Sequence, residues 1–358
     1  MADYIEVKAF FFGNEAEKEQ VYLNFILPFF SPILGRFHAE RGWTGGPHFR
    51  IILSKSDTSI IETFPSEFKR YCTTHFPELT KVEIETNLSP YLTHQDIIPN
   101  MERRESIPIL IENHLSVLIG PYNEEYMYNT FNSYAHFVAH TRALFMMQEF
   151  ISVNIYKFKE ISPETQLKTL TRMLYDVLAF SSYTDKFSVL VYVSNTEGVF
   201  SIADSLNKKR SFEDSFLKMY KALEIPAYFT NQSYNLSIGS SWFDTVSKIV
   251  DYTKKNLDAL TDSEDGFYSI EKQKEDLVKN IESIDSPFHK NLLNQIDSLL
   301  NHNEHKMFKF LINIIYKSVH MLGFTFVKKN FACFAVSKYV LDKHHTTWEE
   351  ILKERERV

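Results

Sequence analysis

Two pairs of side chains have types and spacings suited to proton transfer. His48 and Arg50 stand two residues apart in the alternating segment from Pro47 to Leu53, so both leave the strand on the face opposite Phe49. An imidazole beside a guanidinium can hold a carbonyl oxygen and move a proton. The same pattern is typical of a solvated strand face. From spacing alone the two interpretations are equally good.

The second pair is Tyr316 and His320, which stand four residues apart near the end of a segment with helical apolar spacing, Asn303 to Val319. Residues four apart on a helix lie one above the other, so we expect the phenol and the imidazole to share a face. Together they could donate and accept protons. The alternative is that His320 is a core histidine bonded to the backbone.

His136 and His140 also share a helix face, because they are four residues apart in the helical segment from Phe131 to Phe150. That spacing could hold a metal ion. However, the segment lacks the glutamate of the zinc-protease pattern, and no third ligand stands nearby in the sequence. We therefore predict histidines of the core or its rim, and no metal site.

The elements that must position these residues predict an α+β fold. Gly45, Gly46 and Pro47 suit a tight turn, so Arg36 to Arg41 and Pro47 to Leu53 form a predicted hairpin within a mostly antiparallel sheet flanked by helices. The proline-rich stretch from Pro77 to Glu112 is predicted to be a long loop. We expect one domain over residues 1–358, with a sheet layer at 1–125 and a mainly helical part at 126–358.

The bulk composition excludes several classes of protein. With 358 residues and 44% apolar residues, the chain is globular rather than disordered. A net charge of −7 disfavours a general nucleic-acid binder, and no apolar run is long enough to span a membrane. Two cysteines and an N-terminus without a signal pattern indicate the cytoplasm.

Three segments resemble one protein family. Residues 41–50 read R-G-W-T-G-G-P-H-F-R, which is similar to the signature hairpin of the glutamate-eliminating C-terminal domain of class I lanthipeptide dehydratases. Stand-alone relatives of that domain are the thiopeptide-type biosynthesis proteins, which include the pyridine synthases. Gly120-Pro121 followed by F-V-A-H-T-R-A at 137–143, and S-V-H-M at 318–321, resemble two later family segments. The three segments occur in family order over nearly the whole chain.

The departures from the family pattern bear on the reaction. Ile52, Val117 and Thr325 stand where the family has arginines. In the eliminating enzymes, cations are thought to hold the glutamyl ester while a base removes the Cα proton, so these substitutions disfavour glutamate elimination. The resemblance to pyridine synthases then implies another reaction. Two dehydroalanines of a modified peptide join in a formal [4+2] cycloaddition, and loss of water and of the leader peptide completes a pyridine-centred macrocycle.

The resemblance also implies roles for individual residues. His320 and Tyr316 would move protons, and His48 and Arg50 would hold backbone carbonyls or the migrating amide oxygen. The expected substrate-binding residues are Trp43, Tyr134 and His140. No metal or organic cofactor is expected.

The expected partner is a ribosomally made precursor peptide with a leader segment, with other enzymes of the same pathway possible and neither nucleic acid nor membrane involved. Two alternatives stay open. The chain could be a stand-alone elimination subunit that works with a separate glutamylating enzyme, or a non-catalytic protein that binds the precursor.

Overall fold

The computed structural model describes residues 4–93, 110–122, 134–181, 183–205, 208–230, 236–256, 275, 278, 286–294 and 303–355. The chain divides into two compact units, Met1–Met127 and Tyr128–Val358. A four-stranded antiparallel sheet lies in the first unit, and the described elements of the second are helices, which confirms the predicted α+β class. That residues 1–358 form a single domain stays a prediction. No helix among the described residues is long and apolar enough to cross a membrane.

The predicted hairpin is confirmed. The strands are β1 (Tyr4–Phe10), β2 (Phe37–Gly42), β3 (His48–Ser54) and β4 (Val117–Pro121), in the order β2-β3-β1-β4. Gly45 and Gly46 take φ values of 84° and 110° in the turn between β2 and β3, a backbone region that glycine enters without a steric penalty. Their positive φ lets the turn close with the Gly46 N–H donating to the Trp43 carbonyl at 3.0 Å.

Helices cover the apolar face of the sheet in the first unit. Tyr22 stacks on Phe49 of β3 with ring centroids 6.4 Å apart, and Phe25, Phe64 and Phe68 continue the aromatic core. The helical segments are α1 (Glu15–Val21), a π-helical turn (Tyr22–Ile26), α2 (Leu27–Phe30), a 3-10 helix (Ser31–Ile33), a second 3-10 helix (Lys55–Ile61), α3 (Phe64–His75) and α4 (Lys81–Thr93).

Helix α4 corrects the sequence prediction of a long loop from Pro77 to Glu112, of which residues 94–109 lie outside the described part. A capping box starts the helix: the Thr80 hydroxyl accepts from the Glu83 N–H at 3.3 Å, and the Glu83 carboxylate accepts from the Thr80 N–H at 2.8 Å. The prolines of the stretch outweighed this Thr-x-x-Glu signal in the sequence prediction.

The second unit is a helical bundle. Helix α14 (Phe326–Lys343) packs against α6 (Pro163–Val177) and α8 (Leu190–Ser205), with Phe331, Ala332 and Val336 fully buried. The elements are α5 (Tyr134–Glu160), α6 (Pro163–Val177), a 3-10 turn (Leu178–Phe180), α7 (Asp185–Ser188), α8 (Leu190–Ser205), α9 (Lys209–Ala222), α10 (Ile225–Thr230), α11 (Leu236–Lys255), α12 (Pro287–Leu293), α13 (Asn303–Ser318), a 3-10 turn (Val319–Leu322), α14 (Phe326–Lys343) and α15 (Trp348–Arg355).

Candidate functional site

The sheet register in the first unit places Arg50 among acidic side chains. Glu40 of β2 and Lys8 of β1 lie directly opposite Arg50, and Glu6 lies two residues along β1 on the same face. The Arg50 Nη1 group donates to the Glu40 Oε1 atom at 2.5 Å, and its Nε–H donates to Glu6 Oε1. The guanidinium also lies 5.0 Å from the ring centroid of Tyr122.

Within this cluster of Arg50, Glu6, Glu40 and Lys8, the two positive and two negative charges balance. Arg50, Glu6 and Glu40 are each less than a tenth exposed. Burial alone would raise the pKa of Glu6, but the positive charges of Arg50 and Lys8 more than offset it and hold the pKa below its usual value. A buried cation held by two carboxylates is a structural ion-pair network, whose members depend on one another.

His48 lies on the same face as a neutral ring. Its Nδ1 atom is 2.9 Å from the Gly46 carbonyl and therefore carries the proton that it donates there, which leaves Nε2 as an acceptor. Burial lowers the pKa of His48 to about 4. Gly42 makes this placement possible, because a Cβ atom at that position would lie 2.0 Å from the His48 Nε2 atom.

The predicted substrate-binding residues occupy three different settings. Trp43 is half-buried beside the hairpin turn. Tyr134 is 39% exposed at the start of α5, with its ring 6.1 Å from that of Phe137. His140 packs edge-on against Phe310 at 6.2 Å. Their roles in binding stay predictions.

The same phenylalanine, Phe310, also lies 6.0 Å from the ring of His136. Both histidines of α5 therefore pack against an aromatic ring in the second unit. No cluster of three metal-ligating side chains occurs in the part of the chain that the structure describes.

A sharp turn between α13 and α14 presents His320. Helix α13 ends at Ser318, the chain continues as a 3-10 turn, and Gly323 takes a left-handed conformation with φ 87°. Thr325 then caps α14 by accepting a hydrogen bond from the Lys328 N–H at 3.4 Å. The turn leaves His320 exposed, although its ring bonds to the backbone as the alternative of a core histidine expected.

The hydrogen bonding of His320 suits a general base. Its Nδ1 atom lies 2.9 Å from the Phe324 carbonyl, so the Nδ1–H donates there and the Nε2 lone pair is available. Partial burial of the ring, and secondarily the charge of Lys329, lower the pKa of His320 below its usual value. The imidazole is therefore neutral at neutral pH and can accept a proton.

Tyr316, near the end of α13, is a protonated phenol. Its hydroxyl is 3.3 Å from the Sγ atom of Cys333 on α14. Burial raises the pKa of Tyr316 well above its usual value and raises the pKa of Cys333 to about 11. Neither group is a base at neutral pH, so any chemical role of Tyr316 is that of a hydrogen-bond or proton donor.

Sequence reasoning missed Lys329. The residue is 9% exposed, and its Nζ atom lies 4.6 Å from the ring centroid of Tyr316 and 5.5 Å from that of Phe326. A sequence signal did exist: Lys329 falls on the apolar stripe of α14, four residues before Cys333 and seven before Val336. A lysine on such a stripe is unusual enough to single out.

The fold is known from solved structures. No family model matches the sequence, and no curated protein is significantly similar to it. The pyridine synthase TbtD from thiomuracin biosynthesis superposes with a TM-score of 0.61 at 11% identity, over 96% of this chain and 99% of that one. The crystal structure of TsrL superposes with a TM-score of 0.54 at 9% identity, over 98% of both chains. The expected pyridine-synthase fold is therefore confirmed.

Proposed function

We propose that this chain is a pyridine-forming cyclase of thiopeptide maturation. It would join two dehydroalanines of a modified precursor peptide in a formal [4+2] cycloaddition and then expel water and the leader peptide. The observation that carries the proposal is the match to a pyridine synthase over 96% of this chain and 99% of the other. Neither chain has a large segment without a counterpart, so the likeness covers whole architectures.

The geometry at the turn after α13 supports the proton transfers that this reaction needs. One amide of the peptide must tautomerise to its iminol before it can act as a diene, which requires a base for the N–H proton. His320 meets this need, because its Nδ1 is committed to the Phe324 carbonyl and its exposed ring offers Nε2. Tyr316 is proposed as the donor that assists loss of water. Bringing the two alkenes together supplies the largest share of the rate, since effective molarities reach about 10⁵ M or more.

Val117 and Thr325, two of the three positions that lack the family's arginine, make glutamate elimination the weaker alternative. Val117 lies in β4, and the Thr325 hydroxyl caps α14. Neither side chain supplies a cation for a glutamate carboxylate. His48, Arg50, Trp43, Tyr134 and His140 are retained as proposed peptide-binding residues.

Incubation with a dehydrated, azole-bearing precursor peptide tests the proposal. Mass spectrometry should show a macrocycle lighter than the precursor by one water and the leader amide, together with the freed leader fragment. An unchanged precursor mass would remove the proposal.

Two further measurements identify the alternatives. Formation of dehydroalanine from a glutamylated serine peptide would support the elimination subunit. If the native chain showed no turnover and His320→Ala bound the precursor with unchanged affinity, the chain would be a non-catalytic protein that binds the precursor.

A further inference from the structure

The ammonium group of Lys329 lies in surroundings that do not neutralise it. Its Nζ atom faces the aromatic rings of Tyr316 and Phe326 at 4.6 and 5.5 Å. Among the described residues, no carboxylate forms an ion pair with Lys329, although the side chain is only 9% exposed. Burial lowers the pKa of Lys329 below its ordinary value, as expected for a desolvated cation.

Such a placement costs stability, because a buried charge without a carboxylate partner is only partly compensated by aromatic faces. Methionine would fill the same volume without that cost. A side chain that a fold retains at the expense of stability is a candidate for function.

The position of Lys329 indicates which function. It lies on the first turns of α14, just after the turn that presents His320, and its Nζ atom lies 4.6 Å from the ring centroid of Tyr316, the proposed proton donor. We propose that Lys329 binds the amide oxygen of the peptide substrate and stabilises the negative charge that builds there when His320 removes the amide proton. This inference rests on the proposed function and adds to it the group that receives the charge.

The step balances without a co-reactant. The N–H bond of the amide breaks and its proton passes to the His320 Nε2 atom. The electron pair left on nitrogen moves into the C–N bond, and the carbonyl π pair moves to oxygen. Lys329 donates a hydrogen bond to that oxygen and forms no covalent bond. The imidazolium of His320 then gives its proton to that oxygen, which completes the iminol and returns the base to its neutral form.

Three variants separate charge from packing. Lys329→Met removes the ammonium but keeps an unbranched apolar chain, and Lys329→Arg keeps a positive charge. Lys328→Met removes a lysine next to it on the same helix, which is half-buried. Lys159, whose Nζ atom would lie 2.9 Å from a Cβ placed on Gly323, keeps its charge in all three. Circular dichroism would establish that each variant is folded.

The first readout needs no substrate. Nuclear magnetic resonance titration of the His320 ring should show a higher pKa in Lys329→Met than in the native chain, because a neighbouring positive charge has been removed. Lys328→Met and Lys329→Arg should show a much smaller change. An unchanged His320 pKa in Lys329→Met would overturn the proposal, since the ammonium would then not act on the base.

The second readout is turnover of the dehydrated, azole-bearing precursor. Lys329→Met should lower kcat about 10²-fold with little change in KM, as for the loss of one preorganised oxyanion donor. Lys329→Arg should retain most of the rate and Lys328→Met all of it. If the native chain turns over and Lys329→Met matches it, the role of Lys329 is wrong while the proposed function stands. If the native chain gives no product, the proposed function fails and the role of Lys329 with it.

Discussion

Two buried cations, Arg50 in the first unit and Lys329 in the second, have opposite surroundings. Arg50 in the first unit is bound by the carboxylates of Glu6 and Glu40. Lys329 in the second unit faces two aromatic rings, without an ion pair among the described residues. The two carboxylates compensate the charge of Arg50. The charge of Lys329 is not compensated in this way, so it can act on a bound group. Burial of a cation is therefore not by itself a sign of function. The groups that surround the cation distinguish a structural role from a functional one.

Their histidines differ in the same way. His48 is buried, with its Nε2 atom closely approached by the backbone at Gly42. His320 is exposed, and its Nδ1–H is tied to a backbone carbonyl. Both rings are held neutral, but only the second presents its lone pair at the surface. We therefore expect changes in the first unit to act mainly on stability and changes at the α13–α14 turn to act mainly on rate.

The largest expected effect is on the Arg50 cluster. Arg50→Met leaves two buried carboxylates without their shared partner, which should cost about 3–5 kcal/mol of unfolding free energy. Denaturant unfolding measures it. Arg70→Met is the matched control, because Arg70 forms an exposed pair with Glu67 whose loss should cost no more than about 1 kcal/mol. Equal costs for the two variants would contradict the structural role of Arg50.

The second expected effect is the dependence of stability on pH that His48 confers. A pKa of about 4 in the folded chain, against 6.5 for an ordinary histidine, corresponds to about 3 kcal/mol. As the pH falls, the unfolded chain binds the proton first. The stability is thus fully present above pH 6.5 and is lost between pH 6.5 and about 4.

Unfolding of the native chain and of His48→Gln across that pH range tests this. The variant should lose less stability as the pH falls, while His75→Gln, which changes an exposed histidine, should follow the native curve. Parallel curves for the native chain and His48→Gln would show that the buried ring does not titrate as the structure requires. The lowered pKa of Glu6 adds to the loss of stability only at the acid end.

The third expected effect is on turnover. His320→Gln keeps a polar side chain at the turn but cannot take up a proton, so kcat should fall about 10²-fold or more. The native rate should also fall as the pH drops below the His320 pKa, which lies below 6.5, because the base must be neutral. Product quantified by mass spectrometry gives both results. The control is His75→Gln, which should turn over at the native rate. If His320→Gln also turned over at the native rate, His320 would not be the base.

The sequence predicts contacts between residues that are close along the chain better than contacts between distant ones. Alternation placed His48 and Arg50 on one strand face, because side-chain direction in a strand is a local property. The two glutamates that bind Arg50 could not be assigned, since Glu6 is 44 residues away and becomes a neighbour only through the register of β1 with β3. Register depends on turn geometry and on the whole face of each strand.

At the α13–α14 turn the sequence proposed His320 and Tyr316 as candidates but could not predict their surroundings. A continuous helix would have stacked the two side chains, whereas Gly323 and the Thr325 cap end one helix and begin another. The neighbours of Tyr316, Lys329 and Cys333, come from that second helix. Which residues two packed helices bring together follows from their tertiary contacts, so spacing within one segment does not predict it.

The smallest expected effect tests whether the turn itself positions His320. Gly323 has φ 87°, so Gly323→Ala should cost about 1–2 kcal/mol through left-handed strain. Gly120→Ala in β4 is the control, because nothing lies within 4 Å of a Cβ there and the strand has no such strain. If the turn positions the base, Gly323→Ala should also lower kcat beyond what its lost stability explains at a temperature where it is folded. A variant that loses stability but keeps the native rate would show that His320 reaches its position without that turn conformation, and the contrast between the two units would then depend on Lys329 alone.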